Sequence, residues 1–501
     1  MLKNRLPADV INYTPIGTKY QEAASHPLKG RPLYGILCHV MALKAKTEFP
    51  SGEPARSQRI SIIEGSFASV HIAVSLSSLV TAYALMLGAN DFHLGLLSAV
   101  GAAGTLGAVA GSWGVSLAGS RKILVVAAAV AGRALWSLLC LLPFLPVLPG
   151  WRLPAFFLVI LLSNLLINAA NNGWLSWMTD LVPLEKRGRY FGKRNTILGA
   201  VSMAVTFASG KAFDWFKAGG RQETGFALIF GLAVLCALVS GVILAGQWEP
   251  QPSVVRSMPV HRMFRSAFHD RRFRPLLMFF ILWSLATSVA GPFFGAHMIK
   301  NLGMPLGVIA LYSIIAGSVN LLAQPLWGRV IDRLGNKPVL IFTMLGIFFL
   351  PLFWLFSGPD FYLPIWIDAF LTGIFWPGFG LATFNLLLIT APEDDRQPYL
   401  AVQNVATGLS VFLASLAGGA LAKWLDGVHL RFLGQELINF HLLFALSSLL
   451  RLAILPLALR LPEERSGSVG ALLDLLGNKA SQALSESLRS GVMVVKRLGR
   501  K

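Results

Sequence analysis

The chain has 501 residues, 54% of them hydrophobic and only 13% charged, with a formal net charge of +19. A soluble domain carries about 25% charged residues, so this composition excludes an ordinary soluble protein and indicates a polytopic membrane protein. The basic residues lie in the gaps between apolar segments and not in one motif, which excludes nucleic acid as the partner and leaves a lipid bilayer.

Residues 1–59 form a polar, basic, proline-dotted extension. It lacks the basic head and apolar core of a cleaved signal peptide, and its best apolar run, Leu33 to Leu43, is too short to span. Six segments of spanning length follow, at about 60–87, 92–118, 122–146, 153–178, 195–215 and 225–247. The stretch 248–274 is polar and strongly basic and reads as a linker. Six more segments lie at about 275–299, 306–328, 338–357, 362–390, 399–422 and 437–460. The expected organisation is a six-helix bundle over 60–247, the linker, a second bundle over 275–460 and a tail over 461–501. In that tail Leu472, Leu473, Leu476, Ala483, Leu484 and Leu488 fall broadly on one side of a helix, as in a segment lying on the membrane surface; a disordered tail is the alternative. With both termini cytoplasmic, the inner short loops hold 17 Lys and Arg and the outer loops 7, the asymmetry of the positive-inside rule. Cys38, Cys140 and Cys236 are odd in number and far apart, so no disulfide framework, metal site or other cofactor is expected.

The two halves repeat. An offset of 209 residues lays Pro183, Glu185, Arg187 and Tyr190 on Pro392, Asp394, Arg396 and Tyr399, and pairs Gly210 with Gly419. Trp113 and Gly114 match Trp327 and Gly328 at an offset of 214. Internal repeats of this kind mark transporter folds.

Between two spanning segments the chain reads Gly-x-x-x-Asp-Arg-x-Gly-x-Lys-Pro, with Gly328, Asp332, Arg333, Gly335 and Lys337 as its fixed points. A carboxylate there can meet a helix N-terminus or a basic partner in one conformation and release it in another, and the first glycine suits close helix contact. The motif resembles the cytoplasmic loop motif of the major facilitator superfamily of secondary transporters, bacterial type, over about residues 60–460. The resemblance implies an all-α membrane protein of twelve transmembrane helices in two pseudo-symmetric six-helix bundles. It also implies a central cavity lined by the first, fourth, seventh and tenth helices. The first-half copy after Gly114 is one residue short and lacks the acid, so Asp332 is expected to latch alone. The segment Asp180 to Arg194, with Arg187 and Arg189, resembles the loop after the fourth helix of the superfamily. Its basic residues either anchor to anionic headgroups or pair with Asp180 or Glu185 in one state.

Polar groups inside spans are costly and hence candidates for function. Asn164, Asn168, Asn171 and Asn172 share one face of the fourth span, lining a cavity or bonding neighbouring helices. Trp283 and Thr287 on the seventh span, with Thr372 and Trp376 on the tenth, are further cavity candidates. Glu64 and His71, seven apart on the first span, and Asp368 on the tenth are candidates for proton coupling; an interfacial acid or a packed histidine is the plainer reading of each. Arg133 is expected to have a structural partner, and Arg451 to be peripheral. The fifth helix reads Ala208-Ser209-Gly210, without the Gly-Pro pattern of drug antiporters of the superfamily.

The chain has no Gly-x4-Gly-Lys-Ser/Thr loop and no His-Glu-x-x-His, so ATP-driven pumping and two common enzyme classes find no support. The expected protein is no enzyme. It is a monomeric secondary transporter of a small organic solute in a bacterial inner membrane, coupled to an ion gradient, most simply protons, with direction open. A non-transporting scaffold on the same fold and a lipid or lysolipid transporter are the alternatives.

Overall fold

A computed structural model describes residues 53–118, 120–145, 149–183, 186–250, 260–392, 396–432, 435–461, 463 and 467–474. Most of the N-terminal extension, Glu185, part of the linker and the tail leucines beyond 474 lie outside them.

Among the described residues, twelve helical spans appear in order. The first is the pair Ala55–Ser75 and Ser78–Met86, bent by 45° at its break. The Ser77 hydroxyl restarts the helix there by accepting the Leu79 N–H at 3.3 Å. Five spans complete the first bundle: Asp91–Gly111, Arg121–Leu141, Gly150–Leu181, Arg187–Ala218 and Gln222–Ala245. The second bundle holds Phe273–Lys300, Leu306–Leu334, Asn336–Phe356, Leu363–Thr390, Pro398–Trp424 and Asn439–Leu459. Each is long and apolar enough to cross a bilayer, where a helix satisfies its own backbone. The chain is an all-α integral membrane protein. Its small departure is an antiparallel ribbon, Leu430–Phe432 with Gln435–Leu437, between the last two spans.

Small residues let the helices approach. On the second span a Cβ at Gly111 would come within 2.6 Å of the Ala169 carbonyl, and Gly104 and Gly107 press on Asn164 and Leu165 of the fourth. The bundles meet at the end of the molecule opposite Gly335, called here the far end. Gly210 of the fifth span lies against Leu306 at the start of the eighth, where a Cβ would meet its carbonyl at 2.8 Å. Gly419 of the eleventh lies against Phe92 at the start of the second, with the corresponding distance 2.9 Å. These two contacts are the same contact made twice, since Gly210 and Gly419 matched at one offset and Phe92 and Leu306 match at the other. Between them Asp91 takes hydrogen bonds from Lys300 and Asn439, each at 2.7 Å, and Ser98 meets Ser415 at 3.0 Å.

The motif end differs. Contacts between the bundles thin out beyond Gly408 against Thr105 and Gly317 against Met203. Past that level Asn195, Thr196, Gln324 and Asn404 are exposed on the spans that meet at the far end, and Asn171 and Asn172 on the fourth span. Amides facing hydrocarbon would be costly, so this face is a cleft open at the motif end.

Three expectations about the motifs need correction. Gly328 makes no close helix contact, since a Cβ there would meet nothing within 4 Å. Gly335 is the constrained glycine, at φ 87°, turning the chain between two helices. The basic segment 187–194 is no loop: it forms the first turns of the helix Arg187–Ala218. Asp180 pairs with neither Arg187 nor Arg189 but with Arg121, at 2.6 Å. Arg187 instead donates to the carbonyls of Val182 and Thr179, tying the end of the fourth span to the start of the fifth.

Candidate transport cavity

A cavity of about 340 Å³ opens where the second bundle faces the second span. Its walls bring together Asp368, Thr372 and Trp376 of the tenth span, Thr287 of the seventh, Tyr312 of the eighth, Trp354 of the ninth and Arg451 of the twelfth. Ser98 of the second span is the first bundle's contribution. Asp368, Thr372 and Trp376 recur at helical spacing, which is why one face of the tenth span delivers all three.

Asp368 is 2% exposed and accepts the Tyr312 hydroxyl at 2.7 Å, so it is no interfacial acid. Arg451, expected to be peripheral, is 4% exposed, and its Nη1 donates to the Ile347 carbonyl at 3.0 Å. Buried charges in an apolar bundle need partners or a polar cavity, and these two have the cavity between them. Thr287 donates to the Trp283 carbonyl of its own helix at 2.9 Å, leaving its oxygen as an acceptor. Trp283 stands behind the wall, stacked on Phe379 at 4.7 Å, and does not line the cavity.

The other candidates lie elsewhere. Glu64 and His71 are buried among the first, third and sixth spans. Ser240 donates to Glu64 at 2.8 Å and accepts from Arg133 at 2.9 Å, and Arg133 reaches Glu64 at 4.0 Å. His71 packs edge-on against Trp136, with 5.0 Å between ring centres. Arg133 thus has the structural partner expected of it. On the fourth span Asn164 and Asn168 return hydrogen bonds to their own helix, at the carbonyls of Ile160 and Asn164. Asn172 crosses to the Ala108 carbonyl of the second span at 3.1 Å, and Asn171 is exposed in the cleft. None of the four lines the cavity.

At the motif end Asp332 and Arg333 are exposed and make no ion pair among the described residues. Two acids that sequence reasoning missed act there. Glu249 accepts from Ser120 and from the backbone N–H groups of Arg121 and Lys122. Glu463 accepts from the Asn336 and Lys337 N–H groups at 2.8 Å each. Each follows the last helix of its bundle and caps the third, where a helix N-terminus favours negative charge. The sequence signal was a glutamate next to a proline after the sixth span and again after the twelfth. For Tyr312 and Arg451 the sequence offered no signal beyond their polarity.

Residues 276–494 match the sequence model of the Major Facilitator Superfamily. The match covers 219 of the 501 residues, and the chain as a whole shares the fold of solved transporters. No curated protein matches it. Among solved structures it is similar to a D-xylose–proton symporter, with 17% identity, a TM-score of 0.62, and coverage of 81% of this chain and 97% of that one. A mutant of the nucleoside transporter NupG gives 11% identity, a TM-score of 0.64, and coverage of 81% and 100%. The inward-open xylose transporter XylE from E. coli gives 15%, 0.59, and coverage of 84% and 99%. At such identities the likeness is one of fold.

Proposed function

We propose that this protein is a proton-coupled secondary transporter that moves a small organic solute by alternating access. The observation that carries the proposal is a buried carboxylate, Asp368, in a cavity touched by both bundles. A carboxylate there can carry a proton with the solute, and the rocking of two bundles about a central site is how such folds alternate. Sugar and nucleoside transporters among the structural neighbours support the reading, one of them named as a proton symporter.

The basic excess at the motif end supports a cytoplasmic motif end and cytoplasmic termini, in a bacterial inner membrane. The conformation described is then closed outside and open inside. Asp332 and Arg333, exposed here, are proposed to engage the other bundle when the cleft closes, and Asn168, Asn171 and Asn172 to line its inner mouth. Glu64 and His71 are held in reserve as a second proton site.

The test is flux in proteoliposomes with an internal pH dye, challenged with pooled metabolites. Proton movement is expected with one pool and is lost in Asp368→Asn, which keeps solute counterflow. Absence of solute and proton flux in vesicles holding folded, inserted protein sinks the reading.

A further inference from the structure

Both bundles bury an acid and an arginine, and they treat them differently. In the first, Glu64 and Arg133 close on each other through Ser240. In the second, Asp368 and Arg451 line one cavity, and no ion pair of 4.0 Å or less joins them. Asp368 is supplied from within the protein: Tyr312 donates to one oxygen. Arg451 is not. It gives one Nη1 hydrogen to the Ile347 carbonyl, and its Nε is buried without a partner. What the guanidinium lacks is a charged acceptor in direct contact, since Asp368 acts on it only across the cavity.

A guanidinium held away from water needs a counter-charge, and its planar fork fits the two oxygens of a carboxylate. The surrounding walls are flat and aromatic, from Phe294, Trp354 and Trp376. At about 340 Å³ the space lies at the small end of the range of about 300–1,000 Å³ for ligand sites. We propose that this cavity takes a small organic monocarboxylate with a flat apolar body, its carboxylate on Arg451 and its body against Trp354 and Trp376. The proposal deepens the transport reading and rests on it for its purpose. Asp368 stays available for the coupled proton. Anion and proton then enter together: the ligand neutralises Arg451, the proton neutralises Asp368, and the loaded site carries no net charge.

Binding tests this without requiring translocation. Purified full-length protein is titrated calorimetrically with phenylpropionate, phenylpropanol, phenylpropylamine and phenylalanine, four probes of one shape and different charge. Phenylpropionate is expected to bind, and the other three at least about tenfold more weakly. Arg451→Gln is expected to weaken phenylpropionate by at least about tenfold. Arg451→Lys, which keeps the charge and loses the fork, is expected to weaken it less and to hold the fold if the glutamine variant does not.

Equal or tighter binding of the alcohol or amine overturns the assignment, and phenylalanine binding tightest would make the site one for zwitterions. Unchanged affinity in folded Arg451→Gln and Arg451→Lys overturns it too, as does binding of none of the four. Flux is read separately in vesicles. Phenylpropionate that binds but never crosses sinks transport and leaves the site standing. Flux of other solutes without carboxylate binding does the reverse.

Discussion

The carboxylate of Asp214 accepts the backbone N–H groups of Leu306 and Gly307 at 2.8 Å each, so a side chain of the fifth span caps the first turn of the eighth, across the boundary between bundles. The far end cannot open without breaking both bonds. Hydrogen bonds to a charged group contribute about 1.5–3 kcal/mol, and Asp214 is half-buried, which favours the low end. Asp214→Ala is therefore expected to shift the equilibrium about tenfold toward a conformation open at the far end. Spin labels across that end would show the longer distance gaining population. An unchanged distribution would mean the glycine contacts alone hold it shut.

Those glycines carry their own prediction. A side chain at Gly419 would meet the Phe92 carbonyl at 2.9 Å and the Gly95 Cα at 3.1 Å, both backbone and unable to turn aside. Gly419→Val is expected to be trapped with the far end apart, because the three atoms nearest its Cβ all belong to the other bundle. Solvent access to a cysteine placed at Ser415 would rise. Gly199→Ala, which meets nothing within 4 Å, is the matched control and should leave access unchanged.

The repetition within this interface was legible in the sequence. The offsets that paired Gly210 with Gly419 and Trp113 with Trp327 relate the two glycine contacts to each other, because a repeated bundle repeats its helix crossings, though they place neither. Span positions were legible for the same plain reason that apolar length is local. What failed was direction. Arg451 shares a helix face with Ser447 and Ser448, but spacing alone does not say whether that face looks at neighbouring helices or outward. The asparagines share a face as expected, but Asn164 and Asn168 bond their own carbonyls, which spacing cannot reveal. Glu249 and Glu463 left only a glutamate beside a proline as a signal, and what they cap lies well over a hundred positions away.

Glu64 and Arg133 separate two roles that the sequence left open. If the pair is structural, Arg133→Leu leaves the buried Glu64 carboxylate with Arg194 as its remaining cation and is expected to cost about 3 kcal/mol of stability, while Glu64→Leu with Arg133→Leu recovers most of it. Thermal unfolding in detergent reads both. If Glu64 carries the coupling proton instead, Glu64→Gln would abolish proton-driven accumulation and spare counterflow. The closed geometry, with Ser240 bridging the pair, favours the first outcome.

Glu249 and Glu463 cap equivalent helices but hold unequal networks. Glu249 is 7% exposed and organises Ser120 and the backbone of Arg121, whose side chain reaches Asp180 at 2.6 Å and the Pro250 carbonyl at 3.1 Å. Removing it unties the segment after the sixth span from the start of the third. Glu463 is only half-buried and holds Asn336, which passes the link on to Asn385 at 3.0 Å. A lost charged cap costs about 1–2 kcal/mol by itself. Glu463→Ala is expected to cost about that much. Glu249→Ala is expected to cost more, because Arg121 is then left buried with Asp180 as its remaining acid. Unfolding temperatures of the two variants, measured side by side, decide it. Equal losses would mean that Arg121 and Asp180 hold their geometry without the cap, and that the motif end of the first bundle is fixed by helix packing and not by this charge network.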